Sequence, residues 1–282
     1  MKVLIPTDLT GNSEATVAMA LDITAHLSES ITFLHLMNLP EYFMQLTHSE
    51  RKNQHPEVNI DFIEATNRLE KLVEESSMRG VKADYFIGSV RDKDDIAGLA
   101  NDKFYNLIIM NSLFVDGNKN RPSGYWMKEV IRHTSVPVLA VKTAVRKEIN
   151  NVALLSDFNN EYLTNKDWIN DFVIKMDAKL HLCCINTPSM FFDYRTMKGR
   201  MENFKKAFDF ETTEVIYNDY QFDTGVKHLS EDLNLDMIIM NTHGRKGMDH
   251  FGRGGITEQI VERLDIPILC LPLLGEPKHQ LA

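Results

Sequence analysis

The chain of 282 residues is short of cysteine, of long apolar runs and of positive charge, and each shortage removes a class of protein. Three cysteines, Cys183, Cys184 and Cys270, cannot build a disulfide framework: two are adjacent, which is poor geometry for a bridge, and no Cys-x-x-Cys occurs. They read as small strand hydrophobes rather than redox groups. No segment approaches the roughly 20 apolar residues of a membrane helix, so no membrane association is expected. Apolar sequence begins at once with Lys2-Val3-Leu4-Ile5, with no charged n-region, apolar h-region and cleavage site before it. The expectation is therefore a cytoplasmic protein without a secretory signal. Lys and Arg number 31 against 40 Asp and Glu, a formal charge of −9. That argues against nucleic acid as a partner, because such binding rests largely on cations neutralising phosphates.

What is present is a repeat. Leu107–Lys142 aligns without a gap on Met237–Pro272 at a constant offset of 130. Ile-Ile-Met-Asn recurs identically at Ile108–Asn111 and Ile238–Asn241, followed by matched Gly117/Gly247, Gly124/Gly254, Pro137/Pro267 and Leu139/Leu269. Two domains of roughly 140 residues follow, each large enough to bury its own core. We place them at residues 1–143 and 151–274, with the polar, aperiodic Ala144–Asn150 as linker and Gly275–Ala282 as a frayed tail.

Each half opens with an apolar strand reaching an aspartate, Val3–Asp8 and Val152–Asp157, at an offset of 149. Helical stripes follow (Ala15–Leu27; Trp168–Met176), then strands Ile31–Met37 and Lys179–Ile185. The fall in offset from 149 to 130 leaves about 19 extra residues in the first half, assigned to an elaborated loop at Glu41–Ile60 with room for a short helix. Its His48 and His55 read as solvated rather than metal-binding. A helix from Asp61 to Arg79, closed by Gly80, is matched near Lys198–Phe208. Third strands (Ala83–Ile87; Thr212–Tyr217) and helices (Asp94–Asp102; Thr224–Leu233) come next. Asp92, Asp94 and Asp95 read as helix-capping carboxylates rather than a cation site. Fourth strands Leu107–Asn111 and Met237–Asn241 are almost wholly apolar, as for strands covered on both faces, and last strands are expected at Val136–Val141 and Ile266–Leu271. The order βαβαβαβαβ, twice, gives an α/β class with two open, five-stranded parallel sheets and helices on both faces.

In such sheets ligands bind beyond the carboxyl ends of the strands. Asp8, Asn38, Asn111, Asp157, Asn186 and Asn241 fall at or just past those ends. The halves differ there. After Asn241 the second reads Thr-His-Gly-Arg-Lys-Gly, and later Gly-Arg-Gly-Gly at Gly252–Gly255; after Asn111 the first reads Ser-Leu-Phe-Val-Asp-Gly, then Pro-Ser-Gly-Tyr. Gly244, Gly247, Gly254 and Gly255 let backbone approach a ligand, and the helix beginning near Ile256 aims its N–H groups and dipole at an anion. Arg245, Lys246 and Arg253 add positive charge. On glycine content alone, a long connection without a ligand is an equal reading.

The pattern Asn-Thr-His-Gly-Arg-x-Gly, nine residues between Gly244 and Gly254, then a helix and a Pro-Ile-Leu strand, resembles the universal stress protein family in its tandem form; Pro6-Thr7-Asp8-Leu9 is similar too. The resemblance spans nearly the whole chain. It implies two tandem Rossmann-like domains of the adenine nucleotide alpha hydrolase-like kind, pairing of the halves through their last strands as an intramolecular pseudo-dimer, and ATP or a related adenine nucleotide, with Mg2+, as cofactor. The loop of the nucleotide-binding members, Gly-x2-Gly-x9-Gly-Ser/Thr, falls on Asn241, Gly244, Gly254 and Gly255. The ribose-contacting aspartate falls on Asp157 and the adenine-facing backbone near Cys184, with His243, Gly247, Arg253 and Ile256 beside them. Two positions depart from the pattern. Asn241 puts a side chain where the sugar would lie, and Gly255 removes a hydroxyl whose hydrogen bond to phosphate is worth on the order of 1–3 kcal/mol. In the first half the carry-over gives Asp8, Asn111, Phe114, Gly124 and Tyr125, with Phe114 in place of a glycine; a pocket closed to phosphate is expected there, its Phe114, Tyr125 and Trp126 packing the interface or covering the site.

Three functions stay open. The first is a regulatory stress protein binding nucleotide in its C-terminal half, with at most weak ATP hydrolysis. The second is a scaffold without nucleotide, holding an unknown protein partner. The third is an enzyme on another small anion. No catalytic set can be named: His243 lacks a partnered nucleophile and reads as structural. Association of two chains into a homodimer is left open.

Overall fold

Val3, Ile5, Leu107 and Ile109 bury one face of the central strands, and Leu4, Ile108 and Met110 bury the other. Such strands need cover on both sides, and helices supply it. The computed structural model describes residues 2–27, 30–89, 96–115, 124–142, 148–159, 165–242 and 256–272. Among them the first half holds strands β1 (Lys2–Pro6), β2 (Ser30–Met37), β3 (Lys82–Ser89), β4 (Leu107–Asn111) and β5 (Val138–Val141). The second holds β6 (Asn151–Leu155), β7 (Lys179–Asn186), β8 (Thr212–Asn218), β9 (Met237–Thr242) and β10 (Ile268–Pro272). They join in one sheet ordered β3-β2-β1-β4-β5-β10-β9-β6-β7-β8, parallel within each half. The architecture is an open Rossmann-like α/β arrangement.

Helices α1 (Gly11–Leu27), α2 (His48–Gln54), α3 (Pro56–Met78), α4 (Ile96–Asp102) and α5 (Tyr125–His133) belong to the first half. The second carries α6 (Lys166–Met176), α7 (Tyr194–Lys205), α8 (Phe222–Asp232) and α9 (Ile256–Arg263). Side chains of α1, α3, α6 and α7 share one core layer, and those of α4, α5, α8 and α9 the other.

The halves meet edge to edge. β5 and β10 pair antiparallel, with Leu139 opposite Leu269 and Ala140 opposite Ile268. On one face α1 packs on α6. On the other, α5 and α9 are tied by charge: Arg132 Nε and Nη2 donate to the two Glu258 carboxylate oxygens at 2.7 Å each, and Lys128 Nζ lies 2.6 Å from Glu262. Lys142 adds a contact to Asp265 at 3.0 Å. The family resemblance anticipated pairing through these last strands.

Several boundaries differ from the sequence expectation. Residues 41–60 hold the short helix for which the sequence left room, together with a 3-10 turn and the start of α3. A 3-10 turn at Phe43–Gln45 buries Phe43 edge-on against Phe62, ring centroids 5.5 Å apart, with the Arg51 guanidinium 5.0 Å from the Phe43 ring. Thr47 and Glu50 then form a capping box that starts α2. Pro56 opens α3 in its first turn, five residues before the expected start, where its missing N–H costs nothing. α7 begins at Tyr194 rather than Lys198 because the Asp193 side chain caps it, accepting from Thr196 N at 3.0 Å. The last strands begin at Val138 and Ile268 rather than two residues earlier: Pro137 and Pro267 have no N–H for the ladder, though their carbonyls accept from Ile108 and Ile238. Gly80, at φ +76°, closes the end of α3 as expected. Cys183, Cys184 and Cys270 are free and buried, and burial pushes the Cys183 and Cys184 thiols up to about 12, so they are protonated and unreactive at neutral pH. No helix among the described residues is long and apolar enough to cross a membrane.

Candidate functional site

From β6 the chain runs to β7 on one side and later to β9 on the other, so a crevice opens between the carboxyl ends of β6 and β9. β1 and β4 flank its counterpart in the first half. Asp157 lies two residues past β6, and Asn241 is the penultimate residue of β9.

The turn after the first strand is built alike in both halves. Thr7 N donates to Leu34 O at 2.8 Å and Ser156 N to Cys183 O at 3.1 Å. The Thr7 and Ser156 hydroxyls accept from the backbone two residues on, at Leu9 (3.2 Å) and Phe158 (2.9 Å). Leu9 and Phe158 both take left-handed backbone, φ +57° and +52°, a conformation that costs a non-glycine residue about 1 kcal/mol or more. An arginine from the neighbouring helix, α3 or α7, clamps each turn: Arg68 Nη1 donates to Leu9 O at 3.0 Å, and Arg200 Nη1 to Asp157 O at 3.1 Å. Buried Phe158 meets Phe204 edge-on, ring centroids 5.2 Å apart. Arg200, Phe158 and Asn165 escaped the sequence reading; the offset of 149 that aligned Asp8 with Asp157 also aligns Leu9 with Phe158 and Thr16 with Asn165.

The carboxylates differ. Asp8 Oδ1 accepts from Thr10 N (3.0 Å), Thr10 Oγ1 (2.7 Å) and Ser13 Oγ. Among the described residues Asp157 accepts only from Asn159 N, at 3.3 Å, which leaves most of its acceptor capacity open.

The asparagines also differ. Asn111 uses its whole amide: Nδ2 donates to Thr16 Oγ1 at 3.1 Å, and Oδ1 accepts from Leu113 N at 2.8 Å. Asn241 Oδ1 accepts from Asn165 Nδ2 at 3.2 Å, and the same Asn165 amide donates to Pro272 O at 3.0 Å. A carbonyl only accepts, so Pro272 fixes which end of the Asn165 amide is nitrogen, and Asn165 in turn fixes Asn241. Among the described residues Asn241 Nδ2 is thereby left buried with no partner, the residue 8% exposed. An unmet donor of this kind costs about 1–3 kcal/mol.

Cys184 lies on β7 two residues before its end, its side chain in the core layer shared by α6 and α7. Ile256 opens α9, where the Thr257 hydroxyl donates to Asn241 O at 3.3 Å. His243, Gly244, Gly247, Arg253, Gly254 and Gly255 lie outside the described residues, as do Arg245, Lys246, Asp92, Asp94 and Asp95.

In the first half Phe114 is 2% exposed and packs with Trp126 in the layer of α5, while Tyr125 meets Trp126 edge-on at 5.6 Å. Where the second half has Cys184, the first has His35, whose Nδ1 donates to Thr7 O at 2.8 Å. Burial lowers the His35 pKa, against the raising effects of the Thr7 carbonyl and Asp8; Arg68 lowers it further. The folded chain thus holds a neutral imidazole that the unfolded chain protonates near its ordinary 6.5. The unfolded state takes the proton first, so this contribution is complete above that pH and is lost as pH falls through it towards the folded value. Substitution of His35 by Asn, which donates to Thr7 without titrating, is expected to flatten the fall in urea midpoint from neutral pH to mildly acid pH. Parallel profiles for the two proteins would contradict this origin.

A separate cleft of about 370 Å³ lies between α7 and β8, lined by Phe192, Tyr194, Lys198, Glu214 and Asn218 among others. The Lys198–Glu214 ion pair crosses it, and neither Asp157 nor Asn241 reaches it.

Comparison with known proteins places this architecture. A universal stress protein from Archaeoglobus fulgidus DSM 4304 superposes with a TM-score of 0.71 over 98% of this chain and 97% of its own, at 19% identity. A functionally unknown protein from Pseudomonas aeruginosa PAO1 gives 0.67 over 96% and 92%, at 16% identity. Both share the fold. Universal stress protein MJ0577 of Methanocaldococcus jannaschii is 31% identical over 77 residues, 26% of this chain, which spans about half (47%) of that relative's length. The model of the Universal stress protein family matches residues 1–142 of the 282, just over half. The chain belongs to the universal stress protein family.

Proposed function

We propose that this protein is a nucleotide-responsive regulator whose C-terminal half holds ATP or a related adenine nucleotide, with Mg2+, between Asp157, Asn241 and the loop from His243 to Gly255. The observation that carries this reading is the contrast between the two crevices. In the first half Asp8 accepts three hydrogen bonds, the Asn111 amide is engaged at both ends, and Phe114 is packed inward. In the second, Asp157 keeps acceptor capacity and Asn241 keeps a donor. A duplicated scaffold that has filled one crevice and left polar groups open in the other fits one small polar ligand per chain. Residues 1–143 and 151–274 act here as two domains, and the protein works in the cytoplasm. A scaffold role without nucleotide is favoured by one feature, the side chain of Asn241 where the family loop has glycine.

Calorimetric titration of the purified protein with ATP and magnesium tests the proposal, with Gly254→Trp as a blocked-loop control. Saturable binding that the tryptophan abolishes is the expected result. Absence of heat at millimolar ATP would overturn the nucleotide reading and leave the scaffold.

A further inference from the structure

We propose that the cleft between α7 and β8 is a docking site for a partner polypeptide, which inserts one aromatic side chain into it. The chain itself shows the kind of occupant, because its first half fills the corresponding place with Phe43. The inference is independent of the nucleotide reading, since neither Asp157 nor Asn241 lines this cleft.

The correspondence comes from the repeat. Arg68 and Arg200 hold the same turn in the two halves, which sets α3 on α7 at an offset of 132. Buried Ala65 and Leu69 then fall on buried Met197 and Met201, and Phe62 falls on Tyr194. Strand register does the same for β3 and β8: Met37 pairs with Ser89, and Asn186 with Asn218, so Ile87 corresponds to Ile216. Met201, Tyr194 and Ile216 line the cleft. Their counterparts Leu69, Phe62 and Ile87 share a core layer with Phe43, which is 1% exposed and meets Phe62 edge-on. The extra residues of the first half bring that ring in, and Arg51 anchors its backbone by donating to Phe43 O and Met44 O at 3.0 Å each. The second half lacks the insertion. Among the described residues its own loop offers Phe192, half-buried with the Arg200 guanidinium 5.0 Å from its ring, and about 370 Å³ stays open beside it, a volume typical of binding pockets. At the mouth Phe191 and Tyr194 are 70% and 65% exposed, and clustered exposed aromatics mark surfaces that bind protein. Lys198 lines the same cleft and has three N–H donors, of which the Glu214 contact uses one, so it can hold a peptide carbonyl as Arg51 holds those of Phe43 and Met44. β8 ends the order of ten strands, so a segment can approach from the sheet edge without displacing a strand. What the first half does within the chain, the second is built to accept from another.

The test is calorimetric titration of the full chain with a blocked synthetic peptide of the sequence of residues 40–46, Pro-Glu-Tyr-Phe-Met-Gln-Leu, and with the same peptide carrying alanine in place of both rings. Saturable binding of the first is expected, with a loss of about tenfold or more in the second, as for burial of one aromatic side chain. Tyr194→Ala should weaken the first peptide several-fold with an unchanged melting temperature, because that side chain is mostly exposed. A benzophenone side chain in the Phe place should cross-link, on irradiation, within residues 186–218. Cross-links within residues 54–89 would show the peptide taking the seat of Phe43 and overturn the inference. No binding at millimolar peptide, equal binding of the two peptides, or a Tyr194→Ala protein that binds as wild type does the same. N-acetylphenylalaninamide binding as tightly as the heptapeptide would make this a small-molecule pocket and overturn the polypeptide. Saturating ATP should leave the peptide affinity unchanged; displacement by ATP would assign the cleft to the nucleotide and overturn the inference while the nucleotide reading stands.

Discussion

A Leu269→Asp chain is expected to lose the cooperative unfolding of both halves at once, not of the C-terminal half alone. Leu269 is 0% exposed and sits opposite Leu139 in the antiparallel seam, in a layer that also holds Val3, Ile5 and Leu107 of the first half and Val152, Ile169 and Phe172 of the second. Aspartate there removes the leucine contacts, worth about 2–5 kcal/mol, and adds a carboxyl group with no partner, a further several kcal/mol even if it stays protonated. The sum is comparable to the whole stability of about 5–15 kcal/mol typical of a protein. Leu269→Ala supplies a graded control that should shift the transition without splitting it. The check is thermal unfolding by circular dichroism together with limited proteolysis. A protease-resistant fragment corresponding to the first half in Leu269→Asp would show that the seam is not a shared core.

The second large effect is expected at the charged side of the same seam. Arg132→Glu should lower stability by about 2–3 kcal/mol, and exchange of the pair, Arg132→Glu with Glu258→Arg, should recover most of it. Glu258 is 7% exposed and accepts both of its short hydrogen bonds from Arg132. Removing the partner of a buried charge costs about 3–5 kcal/mol when both are fully enclosed, and the solvent reaching Arg132, a third exposed, reduces that figure. Urea denaturation of the four proteins of the double-mutant cycle gives the coupling directly. A single variant within half a kcal/mol of wild type, or a double variant no better than Arg132→Glu, would show that the bidentate pair contributes little.

The strands, their succession along the chain and the repeat were legible because residues such as Ile108, Ile109, Ile238 and Ile239 are buried on both faces of a parallel sheet and must be apolar throughout. A short helix in residues 41–60 was allowed for, but its bounds, written in Thr47 and Glu50 at capping-box spacing, were concealed by the polar composition around them. The seam has no local signature: Leu139 and Leu269 look like any core leucines, and only the family resemblance suggested that they face each other. The polar framework of the crevice was hidden for a different reason. Asn165 acts on Asn241 across 76 positions and Arg200 on Asp157 across 43, and side chains at such separations announce nothing about each other in a single sequence. Asn241 itself was legible as a position, but its meaning was not, because the direction of its amide is set by the Pro272 carbonyl.

The reciprocal ion pairs of α5 and α9 carry a rule of partnership. Residues 128 and 258 are equivalent in the repeat, as are 132 and 262, and the contacts 128–262 and 132–258 are therefore the two symmetric copies of one interaction. In a true twofold dimer each copy would hold the same two residues. Here every base falls in the first half and every acid in the second. Two first halves joined this way would set Lys128 against Arg132, and two second halves Glu258 against Glu262. Each half is thus compatible with its opposite and repels its own kind, so a chain that exchanges halves with a neighbour can do so only in the native N-with-C combination.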